Sequence, residues 1–306
     1  MSVQGYQKIG LAVIFLAKKM MTLKVSDRIQ TIEEYTQEAQ VSRGTIQNAF
    51  RFLKDNQAIS LVSKGHLGTF IGDMDYQKLW NLTEIGILTG AMPLPYSVLY
   101  EGLATGLYKA AEDYGIETNI AYVSGSKTRI DLLKRGRYDY VITSKSTADA
   151  AIKDSEPVKT CFAFGAKTYL SEHVLLLADK SKERIEDGMR VGLDPTSIDM
   201  ELLTKYACEG RNVNYVTMPY NQIVNQIRAN RIDAGIWNYD EIKEKQIPVA
   251  IRPIGNSAIT KDASNAVVLV RENETGISNF LKAVIKRETV LNYQIAVMKN
   301  EIMPQY

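Results

Sequence analysis

The sequence is poor in cysteine and histidine, the two residues that most often bind metals. Its 306 residues include two of each: Cys161 and Cys208 lie far apart, and His66 and His173 stand alone. No structural metal site is therefore expected. The two thiols could form one disulfide in principle, but without an export signal we expect both to be buried and reduced. No cofactor is expected either. The sequence has no phosphate-binding Gly-Lys-Ser loop and no Gly-x-Ser-x-Gly motif, which argues against an enzyme.

Long hydrophobic runs are also absent. The longest one near the N-terminus, Ile9 to Ala17, has nine residues and is closed by Lys18 and Lys19. A membrane-spanning helix needs roughly 20 apolar residues. No small-residue cleavage site follows the run, so export is not expected. We therefore expect a cytoplasmic protein with no membrane partner.

Low-complexity segments are missing as well, and the composition, with 45% hydrophobic and 24% charged residues, is that of a folded protein. A length of 306 residues favours a small domain joined to a larger one. The net charge is only +2, yet residues 1–72 contain nine Lys or Arg against five Asp or Glu. This basic excess is typical of a small domain that meets nucleic-acid phosphates.

The N-terminal segment predicts two helices before its most informative one. Apolar residues at i, i+4, i+7 and i+11 mark one face of the first helix: Ile9, Val13, Leu16 and Met20. Thr31 is a good N-cap for the second helix, with Glu34 as its capping-box partner. The second helix is predicted to bury Ile32, Tyr35 and Ala39.

A third helix is predicted to begin after Ser42, with Val41 anchoring the turn before it. Its apolar face consists of Ile46, Ala49, Phe50 and Leu53. The opposite face carries side chains that suit base edges and phosphates. The candidate DNA-binding residues of this helix are Ser42, Arg43, Thr45, Gln47, Asn48 and Arg51.

Two short strands should follow this helix and form a wing. Apolar stretches at 59–62 and 68–71 flank a turn that carries Lys64 and His66. The region from about residue 8 to 71 resembles the GntR class of winged helix-turn-helix regulators in Val41-Ser42-Arg43-Gly44-Thr45, in Ala49 with Leu53, and in Gly68-Thr69-Phe70. The resemblance implies that Lys64 and His66 contact the DNA backbone or minor groove.

Two positions depart from the GntR pattern. Glu33 and Gln47 stand where that class usually has arginines, so the base preference must differ. An alternative is a protein-interaction module whose basic face is merely solvated, since winged helices also mediate protein contacts. Arg51 taken singly is weak support for DNA binding, whereas Arg43 lies at the start of the recognition helix.

The larger part of the chain alternates predicted strands and helices. We expect strands at 84–89, 117–123 and 140–144 with helices at 97–114 and 129–135, and a similar block from 189 to 238. This repeat is similar to the type II periplasmic-binding-protein fold, in which two α/β lobes close over a ligand. The whole chain resembles YhfZ-type regulators in 91–104, Glu172-His173 and Ile236-Trp237-Asn238.

The predicted fold class is therefore α/β, with an N-terminal winged helix-turn-helix and a two-lobed domain. The predicted boundaries are 1–72 for the DNA-binding domain, 73–78 for a short linker and 79–306 for the effector domain. Within the effector domain, lobe 1 is expected at about 79–173 and 268–306, and lobe 2 at about 178–246. The last helix, 277–298, should return to the first lobe.

Ligands in open α/β sheets bind beyond the carboxyl ends of the strands. The candidate effector-binding residues are Pro93, Tyr96, Ser124, Ser126, Lys127, Ser144, Lys145, Glu172, Asp194, Ser197, Trp237 and Asn238. Helix N-termini there favour an anionic metabolite, with Lys127 or Lys145 as the counter-charge. Asp194 could instead hold an amine. Trp237 is more often a core residue than a stacking platform.

Two residues raise other possibilities. His173 beside Glu172 suggests acid-base catalysis, but a lone histidine entering an apolar strand is usually structural. Tyr96, with Tyr100 one turn later, either lines the cleft or packs helix against sheet.

The leading functional hypothesis is a regulator, not an enzyme, in which an effector changes how a homodimer binds a double-stranded DNA operator. Dimerisation is expected because one winged helix reads too few base pairs for useful specificity. An enzyme acting on a small metabolite is the alternative, since the two-lobed fold also carries enzymes. A transport receptor is a third option, which the expected DNA-binding segment disfavours.

Overall fold

The computed structural model describes residues 3–255 and 257–305, with side chains from residue 7 onward within these ranges. The chain forms two compact units. The first comprises the described residues of Met1–Leu88, Ala110–Thr118 and Asn273–Lys286. The second comprises those of Thr89–Lys109, Asn119–Glu272 and Arg287–Tyr306. No helix among the described residues is long and apolar enough to cross a membrane.

The first unit contains the predicted winged helix-turn-helix. Its elements are α1 (Val3–Met21), α2 (Ile32–Ala39), α3 (Arg43–Asp55), β1 (Ile59–Ser63), β2 (Thr69–Met74), α4 (Tyr76–Leu82) and α12 (Thr275–Val284). Strands β1 and β2 pair antiparallel and form the wing. The apolar face predicted for α3 is confirmed, because Ile46, Ala49, Phe50 and Leu53 are all buried.

Local capping fixes where the helices of the first unit begin. The Thr31 hydroxyl accepts a hydrogen bond from the Glu34 backbone, and the Glu34 carboxylate accepts one from the Thr31 N–H at 2.6 Å. This capping box starts α2 as predicted. The Ser42 hydroxyl accepts from the Thr45 N–H at 3.2 Å and starts α3. The boundaries of the two motif helices are therefore set by short-range hydrogen bonds.

Residues far along the chain complete the core of the first unit. The ring of Trp80 on α4 stacks on Phe280 of α12, with centroids 4.2 Å apart. The Asn279 side-chain amide donates to the Met21 carbonyl at 3.1 Å. Where a linker was predicted over 73–78, the structure has the end of β2 and the first turn of α4, capped by Asp75.

A five-stranded sheet organises the first lobe of the second unit, in the order β4-β3-β5-β12-β6. Its strands are β3 (Leu88–Met92), β4 (Thr118–Tyr122), β5 (Tyr140–Ser144), β6 (Val158–Gly165) and β12 (Ala266–Arg271). Its helices are α5 (Val98–Glu112), α6 (Ser126–Lys134), α7 (Lys145–Lys153) and α13 (Arg287–Met298). Strand β12 runs antiparallel to both β5 and β6.

The second lobe has its own five-stranded sheet, in the order β11-β7-β10-β8-β9. Its strands are β7 (His173–Leu177), β8 (Arg190–Leu193), β9 (Asn214–Thr217), β10 (Ala234–Asn238) and β11 (Ala250–Pro253). Its helices are α8 (Ile198–Ala207), α9 (Ile223–Arg228), α10 (Tyr239–Glu244) and α11 (Ala258–Asp262). The predicted span of 178–246 left out β7 and β11, which belong here because β7 pairs antiparallel with both β10 and β11.

The single helix predicted over 277–298 is wrong, because the chain makes two helices there. At Ile285 the backbone leaves the helical region, with φ −85° and ψ 88°. Helix α12 lies in the first unit, and α13 lies in the second. Close packing of α13 on α5 requires glycine, since a Cβ at Gly102 would lie 2.8 Å from the Gln294 carbonyl oxygen and one at Gly106 would clash with the Val290 carbonyl.

Candidate DNA-binding surface and ligand cavity

The polar face of α3 is open to solvent. Arg43, Gln47 and Arg51 are exposed, while Thr45 and Asn48 are partly buried. Helix α3 has no acidic residue in its first turn. Guanidinium and amide groups on one helix face can donate hydrogen bonds to phosphates and base edges. The exposed hydroxyl of Ser42 is occupied locally, since it lies 2.8 Å from the Thr45 hydroxyl and caps the helix.

The wing presents a lysine and a histidine at its tip. Lys64 and His66 are exposed beside a short 3₁₀ turn at Gly65–Leu67. The Lys64 ammonium lies 4.5 Å from the centroid of the Phe70 ring. This cation–π contact stabilises the position of the Lys64 side chain and does not neutralise its charge.

A further cation beside the wing was missed in the sequence. Arg28 forms an isolated antiparallel bridge with Phe70, and its side chain is exposed. A Cβ built on Gly68, where φ is +99°, would lie 2.7 Å from Arg28 Nε. Glycine is therefore favoured at position 68 by its backbone conformation, while the exposed Arg28 side chain lies directly beside it. No helical or strand pattern marks Arg28, because a single bridge leaves no periodic signal.

The second unit contains a half-open cavity of about 70 Å³ between its two lobes. Residues from both lobes line it: Pro93, Leu94, Tyr96, Tyr100, Ser124, Gly125, Ser126, Arg129, Tyr169, Leu170, His173, Asp194, Ser197, Asp199, Met200, Tyr220 and Asn238. The lobes are closed on each other at its edge. The Ile198 N–H donates to the Ser126 hydroxyl at 2.9 Å, and the Lys127 N–H donates to the Thr196 carbonyl at 3.0 Å.

Arg129 contributes the positive charge of the cavity wall. It is buried, and its guanidinium donates to the Val123 carbonyl at 2.7 Å and to the Tyr169 hydroxyl at 3.2 Å. Its Nε has no hydrogen-bond partner among the described residues. Within the same part of the chain, His173 Nδ1 and Asn238 Nδ2 also lack partners. Buried polar atoms without partners carry a desolvation cost that a ligand can remove.

Two buried carboxylates face the same cavity. Asp194 accepts from the N–H and hydroxyl of Thr196 and from the Tyr220 N–H at 2.9 Å. Asp199 accepts from the hydroxyls of Ser144 and Ser146 through one oxygen, Oδ1. All of these donors are neutral. The cavity therefore contains both signs of charge.

The remaining titratable groups of the cavity are neutral near pH 7. Burial raises the pKa of Tyr169 to about 12 and lifts the pKa values of Tyr100 and Tyr220 well above 10. Burial lowers the pKa of His173 to about 4, although the nearby charges of Asp199 and Asp240 act in the opposite direction. The tyrosine hydroxyls thus remain donors, and the imidazole keeps one acceptor nitrogen.

Seven of the twelve predicted effector-binding residues line this cavity: Pro93, Tyr96, Ser124, Ser126, Asp194, Ser197 and Asn238. Two others act just behind its wall. Ser144 donates to Asp199, and the buried ring of Trp237 stacks on Tyr220 with centroids 3.9 Å apart.

The other three predicted residues lie outside the cavity. The Lys127 ammonium pairs with Glu201 at 2.8 Å, and the Lys145 ammonium pairs with Asp149 and Asp262. Glu172 is exposed. Among the described residues of the cavity wall, Arg129 is the only basic side chain that is charged at pH 7. It lies on α6, just beyond the predicted loop. Asp199 was also missed, and it lies two residues beyond the predicted Ser197.

The state of the two cysteines agrees with the prediction that both are buried and do not form a disulfide. Cys161 and Cys208 are both buried and unbridged. No cluster of three or more potential metal-binding side chains occurs among the described residues.

Comparison with known proteins places this architecture in a family. Residues 24–71 match the model of a helix-turn-helix domain, and residues 75–306 match that of the YhfZ C-terminal domain. YhfZ from Escherichia coli (strain K12) is 31% identical over 303 residues, which is 98% of each chain. The chain belongs to the YhfZ family.

Solved structures agree with the fold of this YhfZ-family protein. The crystal structure of YhfZ from Shigella flexneri has 29% identity and a TM-score of 0.64, covering 76% of this chain and 98% of that one. An ancestral arginine-binding protein bound to arginine has 14% identity and a TM-score of 0.53, covering 70% of this chain and 97% of that one. The YhfZ C-terminal region thus resembles periplasmic-binding-protein folds.

Proposed function

We propose that this YhfZ-family protein is a transcriptional regulator that acts in the cytoplasm and binds double-stranded DNA through α3 and the wing. The observation that carries the proposal is the open face of α3. Its cations Arg43 and Arg51 are exposed, and the first turn of α3 has no acidic residue that would offset their charge. A helix-turn-helix domain match covers the same residues. The motif stretches 41–45 and 68–70 support a GntR-like subtype.

The regulator is proposed to respond to a small molecule held in the interlobe cavity. Residues of both lobes line the cavity, so a ligand there favours the closed arrangement over an open one. An anionic group on the ligand would face Arg129. The closed state would then change operator binding by a homodimer, whose two winged helices read two half-sites.

We propose that the cavity binds its ligand without transforming it. The pKa of His173 near 4 leaves the imidazole a weak base at pH 7, poorly suited to abstract a proton. A ligand that binds the cavity should therefore be recovered chemically unchanged after incubation with the protein. Consumption of the ligand would instead support the enzyme alternative.

Salt-dependent DNA binding tests the regulator directly. The affinity for a duplex from the region upstream of the protein's own gene would be measured between 50 and 200 mM salt for the wild type and for Arg43→Gln with Arg51→Gln. Each lost phosphate contact lowers the slope of log K against log salt by about 0.9, so the double variant should lose about 2 units of slope. A change in the base preference of the residual binding would mark Arg43 or Arg51 as a base-reading residue.

A matched control removes two charges elsewhere. Arg135→Gln with Arg137→Gln changes the net charge equally on exposed residues of the second unit. This control should retain the wild-type salt slope. Equal losses in both double variants, or no DNA binding by the wild type, would refute the proposed reading surface.

A further inference from the structure

The charged side chains of the interlobe cavity form no ion pairs with one another among the described residues. Of the described wall residues, Arg129 is cationic while Asp194 and Asp199 are anionic, and the histidine and tyrosines are neutral at pH 7. The described contacts of Arg129 are a carbonyl and a phenol hydroxyl. Those of the two aspartates are hydroxyls and backbone N–H groups. A buried charge without an opposite charge is costly, and a ligand can supply the missing partner.

The two signs of charge belong to opposite lobes. Arg129 lies on α6 of the first lobe, whereas Asp199 lies on α8 of the second lobe. The starts of these two helices are joined by the hydrogen bond from the Ile198 N–H to the Ser126 hydroxyl. A ligand that carries only a negative charge would satisfy Arg129 and face two carboxylates. A ligand that carries only a positive charge would leave Arg129 without a partner.

The cavity is small, with a volume of about 70 Å³, and this favours a small occupant. Four tyrosines among the described residues line its wall. Tyr100 and Tyr169 meet edge to face at 5.1 Å, and Tyr96 lies 5.8 Å from Tyr220. Aromatic faces beside carboxylates favour an ammonium group.

We infer that the cavity binds a small zwitterion, an aminocarboxylate. Its carboxylate lies against Arg129, and its ammonium group lies against Asp199, whose Oδ2 is not used by the two serines. The ligand thereby bridges the two lobes and favours their closure. This inference rests on the proposed function, because it names the chemical class of the effector for the same cavity.

Matched small molecules test the inference on the wild-type protein without any substitution. The zwitterionic probes are glycine and both enantiomers of alanine and serine. Lactate replaces the ammonium group of alanine with a hydroxyl, and alaninol replaces its carboxylate with an alcohol. We expect at least one zwitterion to raise the melting temperature and to bind at least tenfold more tightly in calorimetry than lactate and alaninol. Equal or tighter binding of lactate or alaninol, or no binding by any zwitterion, would overturn the inference.

Variants then assign the two charges. Arg129→Gln and Asp199→Asn should each weaken zwitterion binding at least tenfold, with far-UV circular dichroism checking that the variants fold. Arg135→Gln and Asp131→Asn remove one charge of each sign from an exposed pair at the end of α6. These two controls should bind as the wild type does. Wild-type affinity in both cavity variants would refute the assignment.

The DNA assay distinguishes an error in the ligand class from an error in the proposed regulatory function. If no zwitterion binds while DNA binding still depends on Arg43 and Arg51, the ligand class is wrong and the regulator stands. If a zwitterion binds but the wild type shows no affinity for the duplex, the ligand class stands and the regulator is wrong.

Discussion

Acidification should destabilise the second unit through one buried imidazole, that of His173. This residue begins β7 and is only 7% exposed. Burial holds its pKa at about 4, whereas an exposed histidine has a value of 6.5. The folded chain therefore resists protonation in a pH range in which the unfolded chain accepts a proton.

The size and sign of the effect follow from this difference in pKa. Between pH 6.5 and about 4 the unfolded state binds one more proton than the folded state at this position, so the free energy of unfolding falls as the pH falls. A shift from 6.5 to about 4, at 1.36 kcal/mol per pKa unit, corresponds to about 3 kcal/mol. The contribution is fully present above pH 6.5 and is lost by pH 4.

Urea unfolding at a series of pH values measures this effect. A Trp80→Phe background leaves Trp237 of the second unit as the only tryptophan, so its fluorescence reports unfolding of that unit. In this background His173→Gln should make the free energy of unfolding less dependent on pH between 6.5 and 4 than it is with His173 present. His66→Gln, which removes the exposed histidine of the wing, should leave the pH dependence of the free energy of unfolding unchanged. The same pH dependence with and without His173 would refute the reasoning.

Four other substitutions have expected outcomes. Ser42→Ala removes the N-cap of α3 and should lower the free energy of unfolding by about 1 kcal/mol in denaturant titration. Gly106→Ala should destabilise by about 1–3 kcal/mol, because its Cβ clashes with the Val290 carbonyl, whereas Gly10→Ala, with open space around it, should stabilise by up to about 1 kcal/mol. Equal effects of the two glycine substitutions would contradict the packing of α13. Arg28→Gln should lower the salt slope of DNA binding by about 0.9 if this cation meets a phosphate, and an unchanged slope would exclude it.

The helix-turn-helix could be predicted because its signals are local. A cap such as Ser42 and the four apolar residues that follow it lie within one short segment, so spacing alone determines which side of α3 is buried. The same is true of the wing. The sequence signals that predict each of these elements lie within about 15 residues of one another.

The lobe boundaries could not be predicted in the same way, because strand pairing is long-range. Strand β7 pairs with β10 and β11, which follow some 60 to 75 residues later, and an apolar run carries no information about its partners. The break at Ile285 leaves no glycine or proline as a marker.

The cavity was predicted only in part, for a related reason. Strand-end loops such as Ser124–Ser126 were identified correctly as its edge, yet the sequence favoured the lysines nearest to those loops. Lys127 and Lys145 instead pair with carboxylates on the surface. Arg129 points inward because it lies on the buried side of α6, which becomes evident only when the helix is packed against its sheet.

The first unit is built from segments that are far apart in the sequence and are therefore synthesised at different times. Helix α12 emerges from the ribosome some 190 residues after α4, yet the two share the stack of Trp80 on Phe280. A truncated fragment that stopped at residue 72 would expose part of the apolar surface of α1 to water, since α4 and α12 pack against α1 in addition to α3. Grafting this module onto another sensor would therefore require the later segment as well as the N-terminal one, and a nascent chain would lack the complete core of the first unit until α12 had been made.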